Sequence, residues 1–580
     1  MFLRVTFLIL IVSFFSNLIA SSNDSNSYYL VYFKNKHSSK FDLQHPEKYL
    51  SHKSIERRKK FKIKIDSLDL PVNANFLEGI KNIAGIRILG ISKWLNAVEI
   101  SINKTDNRTE DIIQNIRRLG FVKNLKYLGT LENKKIISDS VEIDNSYYLE
   151  AEKLIALKRD SSICLFTDAD YGKSFAQNKF LGIPELSRLT GKMSSFEIAV
   201  FDAGFHNAFK VKGMEDLLDS KQIVRDYVDH DNSVWEDDQH GCNVLGFLKT
   251  YNPGHYIGSA PFANYTLIRT ENANLESLTE EINWLLAAEF VDSLGIDLIS
   301  ASLGYHAFDE TQLSHRYEES TGDSSIVSRA ANLAYLKGIM VVVSAGNEGN
   351  QSWKHIGFPS DATHAITIGA CDDKGYHAKF SSIGPTIDGR IKPDFIAPGY
   401  KVNVAAVFGF YSGNGTSYST PIFSGGLASL MYLHKNTSLD SIKLALINSA
   451  THRHLPDSLY GNGLVDFSLA STFLNGFSNI KEDVFWVNKN AVLFQDLNLY
   501  FASSQIQNIK VTVSTTIKGK RKTIYKKSFI LEKGQIFESD ILLQYLLEKR
   551  KLKKKKWQLN NLELVFETAN GTFQKSFQIR

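Results

Sequence analysis

A serine stands in Asn414–Pro421, NGTSYSTP, directly ahead of IFSGGLASLMYLH, whose apolar residues recur at helical spacing. Small hydroxyl residues at a helix start are most often caps. This one also has what a nucleophile requires. Backbone N–H groups and the positive end of a helix dipole lie beside it, and its own N–H is available to an oxyanion. Gly415 lets the backbone pass close to a substrate, and Pro421 is expected in the first helical turn, where an N–H has no helical partner. Hydrolysing an amide also needs a base, a group to orient it and a further oxyanion donor. His240, opening a helix pattern in QHGCNVLG, is a candidate base. Asp202 follows an apolar run in VFDAGF, where a buried carboxylate needs a partner such as an imidazole N–H. Asn347 in SAGNEGN holds a side-chain amide on a glycine-flanked turn, and SLGY (302–305) offers backbone to an extended peptide. Asp237 and Asp238, just upstream of His240, admit a different chemistry: a metal-dependent hydrolase built on those three residues.

These residues fall where strand patterns give out. FEIAVFDAG, YTLIRT, DLISASLG, IMVVVSAGN and AITIGA are short apolar runs that end in glycine or polar turns, as in strands buried on both faces of a parallel sheet. Helical patterns lie between them, in ESLTEEINWLLAAEFVDSLG and in 325–336. The expectation is an α/β domain over 171–472 with a doubly wound, mostly parallel sheet, in which function gathers at the carboxyl ends of the strands. Ahead of it, 28–132 alternates strand and helix patterns as a small α+β unit, joined by a linker over 133–170. Its GIRILGISKWLNAVEISI segment reads as strand. Its ERRKKFKIK segment (56–64) reads first as a solvated helix face, with a processing site as the alternative. Residues 479–580 alternate apolar and polar positions, as in a small β-rich unit; within them KRKLKKKKW reads as a solvated charged segment rather than an anionic-surface patch.

With 580 residues, more than one domain is expected. A net charge of +5 over this length is too mild to imply nucleic-acid binding. MFLRVTFLILIVSFFSNLIA has an early Arg, an apolar run and small residues after it, so residues 1–20 read as a secretory signal, with an uncleaved anchor as the alternative. Three cysteines, Cys164, Cys242 and Cys371, exclude a disulfide framework in an exported chain of this size, though one Cys164–Cys371 bridge is conceivable.

Taken in order, Asp202, His240, Asn347 and Ser417 resemble the subtilisin-like serine peptidases. FDAG, QHGCNVLG, SAGNEG and GTSYSTP resemble the family's Asp, His, oxyanion-asparagine and nucleophile motifs, and KPDFIAPG and YGNGLVDFSLA are similar to further signatures. The resemblance implies a secreted serine endopeptidase working through an acyl-enzyme on Ser417. His240 would be its base and Asp202 the group that orients it; Asn347 would serve the oxyanion hole. It implies substrate contacts at Ser302, Leu303, Gly304, Ser344, Ala345 and Gly346, and a cis Phe358–Pro359 bond. It implies protein or peptide substrates, an inhibitory prodomain in 28–132 and no catalytic cofactor. Structural calcium is common in the family, but no ligand set is assignable here. Ala203 departs from the family's usual Ser or Thr, Cys242–Asn243 from its Thr-His and Tyr418–Ser419 from its Met-Ala. The β-rich terminus resembles the sorting domains of bacterial type IX secretion. A catalytically inactive, peptide-binding surface protein on the same fold is the alternative function.

Overall fold

The computed structural model describes residues 25–132 and 167–475, apart from 38, 105–106, 194, 219–221 and 232, together with seven strands between 484 and 578. The signal segment 1–20, Cys164, most of the linker and KRKLKKKKW lie outside the described residues.

The N-terminal unit is a four-stranded antiparallel sheet of β1 (Ser25–Phe33), β2 (Ile86–Ser92), β3 (Ala97–Asn103) and β4 (Val122–Glu132), ordered β2-β3-β1-β4. The stretch read as one strand pattern, GIRILGISKWLNAVEISI, is a hairpin. Asn96 adopts φ 49° at its turn, a region that Asn tolerates better than most residues. Alternation divides β3 between two cores. Val98, Ile100 and Ile102 join the unit's own core, whereas Ala97 faces the next domain.

That next domain is built on seven parallel strands. They are β5 (Glu197–Asp202), β6 (Ile223–Asp226), β9 (Asn264–Arg269), β10 (Leu298–Ala301), β11 (Met340–Ser344), β12 (Ile366–Cys371) and β13 (Phe395–Pro398). Two small hairpins lie outside this sheet: β7 (Tyr251–Asn252) with β8 (Tyr256–Ile257), and β14 (Val402–Ala406) with β15 (Gly409–Gly413). The order β13-β12-β11-β10-β5-β9-β6 reverses between β5 and β10, and the carboxyl ends of two strands flanking such a reversal form a natural crevice. The expected doubly wound α/β fold is therefore present.

Helices cover both faces. His240–Lys249 and Thr416–Leu433 pack in one core; Leu278–Leu294 and Ile326–Leu336 pack in the other. All 17 residues of Leu278–Leu294 are buried, because the helix lies between the parallel sheet and the N-terminal sheet, whose Tyr28, Leu30, Leu89 and Trp94 share its core. A helix enclosed on every side must be apolar all round or pair its polar groups. This one does both.

The ERRKKFKIK segment corrects its first reading. Its residues 56–61 belong to a ten-residue helix, His52–Phe61, in which Arg57 and Arg58 are buried rather than solvated. Arg57 donates to Asp292 Oδ1 at 2.5 Å and Arg58 to Asp292 Oδ2 at 2.8 Å, while Arg58 also reaches Asp69 at 2.6 Å. Burial works against the Asp292 carboxylate, but Arg58, Lys93 and Arg57 outweigh it and hold its pKa well below the ordinary range. Arg57 also satisfies the Asp292 and Ile296 carbonyls near the end of Leu278–Leu294, where a helix leaves acceptors unpaired and favours cations.

The C-terminal strands form two antiparallel sheets. One holds β16 (Val484–Val487), β17 (Leu499–Ala502) and β20 (Ile536–Ser539); the other holds β18 (Gln507–Ile517), β19 (Lys520–Leu531), β21 (Asn561–Thr568) and β22 (Gly571–Gln578). No helix among the described residues is long and apolar enough to cross a membrane.

Candidate active site

Asp202 closes β5 and is fully buried. Its Oδ1 lies 2.8 Å from His240 Nδ1 and accepts the Ala203 N–H at 2.8 Å. Its Oδ2 has no hydrogen-bond partner among the described residues. The hydroxyl that Ala203 lacks is one that could have served it.

His240 is the first residue of His240–Lys249. Gly241 permits the approach: a Cβ there would sit 2.2 Å from the Gly204 carbonyl oxygen and 2.8 Å from Asp202 Cβ. The imidazole remains 33% exposed on its other side. Burial disfavours its charged form, but the Asp202 charge and hydrogen bond, with Asp238 beyond, prevail and raise its pKa above 6.5.

Ser417 is the second residue of Thr416–Leu433 and 8% exposed. Pro421 lies inside this helix, in the second turn rather than the first. Lacking an N–H, it cannot bond the Ser417 carbonyl four residues back. That carbonyl instead accepts the Ser302 hydroxyl at 2.9 Å, which ties the serine to the end of β10. The Ser417 hydroxyl donates to the Ser302 carbonyl at 3.3 Å.

Asn347 Oδ1 accepts the Thr416 N–H at 3.0 Å and the Thr416 hydroxyl at 3.1 Å. With its oxygen held there, the amide turns its NH2 donors the other way. Ser344 links two walls of the cleft through Leu303 O at 3.4 Å, and Gly304 is exposed. A cleft of about 270 Å³ is lined by His240, Ser417, Asn347, Ser302–Gly304 and Ser344–Gly346, so all the site candidates meet there except Asp202, which lies behind His240. Phe358–Pro359 is cis, as are Gly384–Pro385 and Lys392–Pro393.

The metal reading finds little support in this geometry. Asp237 pairs with Arg269 at 3.0 Å, Asp238 accepts the His240 backbone N–H at 2.7 Å, and no cluster of three or more His, Cys, Asp or Glu among the described residues is placed to hold an ion. Among the described residues Cys242 and Cys371 form no disulfide, and both are buried; burial, with Asp202 adding to it, pushes the Cys242 thiol up to about 12, which disfavours the reactive thiolate. The sequence reading passed over Glu271. It lines the cleft two residues beyond β9 and accepts the buried Tyr305 hydroxyl at 2.5 Å. Its position past a strand end was the available signal.

Residues 194–463 match the model of the subtilase family, and residues 28–142 match the peptidase S8 propeptide domain of Bacteroidota. The chain belongs to the subtilase family. The chain is 28% identical to serine protease AprX of Bacillus subtilis strain 168 over 333 residues, which is 52% of this chain and 69% of that protein. It is 25% identical to subtilisin NAT of Bacillus subtilis subsp. natto over 377 residues, 61% of this chain and 89% of that one. Among solved structures, MycP1 from Mycobacterium smegmatis aligns with TM-score 0.41 and 18% identity, over 54% of this chain and 89% of that chain. Within this subtilase, the N-terminal unit is the propeptide domain.

Proposed function

We propose that this subtilase is an exported serine endopeptidase that cuts extended protein segments through an acyl-enzyme on Ser417. The observation that carries the reading is the 2.8 Å Asp202–His240 pair opening onto the cleft that also holds Ser417 and Asn347. The Ser417 hydroxyl first turns from the Ser302 carbonyl toward His240. His240 takes its proton as Oγ attacks the substrate carbonyl carbon. Asp202 holds the imidazole tautomer and stabilises the imidazolium. The negative charge that develops on the substrate oxygen is met by the Asn347 amide and the Ser417 N–H. His240 then protonates the leaving amine, and water repeats the sequence to release the acid. Ser302–Gly304 and Ser344–Gly346 line the substrate path, and Gly304 offers backbone to an extended chain. No cofactor enters these steps. The N-terminal segment would direct export, and the C-terminal β unit would act in sorting.

One observation favours the non-catalytic, peptide-binding alternative: the Ser417 hydroxyl is engaged by Ser302 rather than His240. Hydrolysis of a denatured protein by the processed chain distinguishes the two. Activity in the native sequence and its loss in Ser417→Ala are expected. Equal turnover in both would overturn the assignment.

A further inference from the structure

Between the propeptide sheet and the peptidase domain lies a second cavity, of about 380 Å³. Strand alternation aims Glu99 into it, since Ala97 and Glu99 share the face of β3 opposite Val98 and Ile100. Glu99 is 4% exposed, and no hydrogen bond or ion pair to it is present among the described residues. Tyr28 and Thr130 stand beside it on the propeptide sheet. Across the cavity are Tyr227, Asp229, His230 and Glu280.

None of these supplies Glu99 with a counter-charge. Asp229 is a carboxylate already paired with Arg269 at 2.6 Å. Glu280 is a second acid, spent on the backbone N–H groups of Asn272 and Ser277. Burial, together with Arg225 and Arg87, lowers His230 to about 4, so its ring is neutral. Arg87, on β2, acts on Tyr28 and His230 rather than on Glu99. A buried carboxyl facing acids and no cation is tolerated in its neutral form.

We propose that docking of the propeptide domain is proton-linked through Glu99: the domain is held while Glu99 is protonated and loosens as Glu99 ionises. Burial raises this carboxyl from 4.5 to about 8 in the docked chain. Undocking returns it to water. The docked form therefore keeps its full stability below about pH 4.5. It weakens as pH rises toward 8 and levels off above that. Acid retains the propeptide; neutral and alkaline conditions favour its release.

The test uses full-length chain carrying Ser417→Ala, so that no cleavage occurs and the outcome does not depend on the peptidase reading. Hydrogen exchange is followed in His52–Phe61, a ten-residue helix that is marginal when undocked. It is compared with the same chain carrying Glu99→Gln, from pH 5 to 8. After correction for intrinsic exchange, opening in the Glu99 chain should rise roughly tenfold per pH unit relative to the Gln chain, approaching a thousandfold. Glu99→Met serves the same comparison if the Gln chain does not fold. Parallel pH profiles, or a constant offset between them, would overturn the proposal.

Discussion

Gly241 sets how near the His240 imidazole comes to the Asp202 carboxylate. Gly241→Ala must displace the helix start from Asp202 by the overlap that its Cβ creates. A misplacement of about 1 Å costs on the order of a hundredfold in rate, so kcat/KM is expected to fall at least that far in peptide hydrolysis assays. In the proposed mechanism Asn347 meets the developing oxyanion, so Asn347→Ala should lower kcat about 10²–10³-fold with little change in KM. The pH profile tests Asp202 separately. In the proposed mechanism His240 must be neutral to accept a proton, so its raised pKa should place the acid limb of kcat/KM above pH 6.5. Asp202→Asn should move that limb downward as well as slow the reaction. An unshifted limb would show that another group titrates there. The four residue types at the centre of this site were legible because each stands where a strand or helix pattern begins or ends. The orphaned Asp202 Oδ2 was foreshadowed by Ala203, but the Ser417–Ser302 exchange of hydrogen bonds was not, because Ser302 and Ser417 are 115 residues apart.

Among the elements, the helix Leu278–Leu294 carries the most. Its periodicity was plain from sequence, yet nothing local announced that both its sides would be buried. Gly295, which ends it at φ 86°, lies against the propeptide helix: a Cβ there would meet Ser54 N at 2.6 Å. The basic run in that helix was misread for a related reason, since its partner Asp292 lies 235 residues from Arg57. Pro421 was expected one turn too early, because the helix begins at Thr416; its consequence, a freed Ser417 carbonyl, needs the three-dimensional neighbour to be visible. Removing one member of a buried ion cluster typically costs about 3–5 kcal/mol. Asp292→Asn, in the Ser417→Ala chain, should therefore leave Arg57 without its carboxylate and Arg58 with Asp69 alone, and undock the propeptide helix. Limited proteolysis would show new cuts within 52–61. Unchanged protection would mean that the apolar contacts alone hold the domain.

At the scale of the molecule, the expected division into an N-terminal α+β unit, a parallel-sheet domain and a β-rich terminus followed from changes in periodicity along the chain. The contact between the first two did not, because interfaces are set by tertiary pairing rather than by local pattern. That contact joins the propeptide sheet to the helix N-terminus whose loop also borders the cleft, with Glu280 lining both cavities. If Ser417 performs its own maturation, Ser417→Ala should accumulate as the unprocessed chain. Normal processing of that variant, followed by its mass, would assign the cut to another peptidase.

The claim on which the rest depends is that Ser417 is an activated nucleophile. A fluorophosphonate probe, applied to folded and processed protein and followed by mass spectrometry of the labelled peptide, addresses it directly. One adduct is expected, on Ser417, and it should disappear in His240→Ala. An unlabelled Ser417 in a folded chain with an open cleft would contradict it and favour the peptide-binding reading.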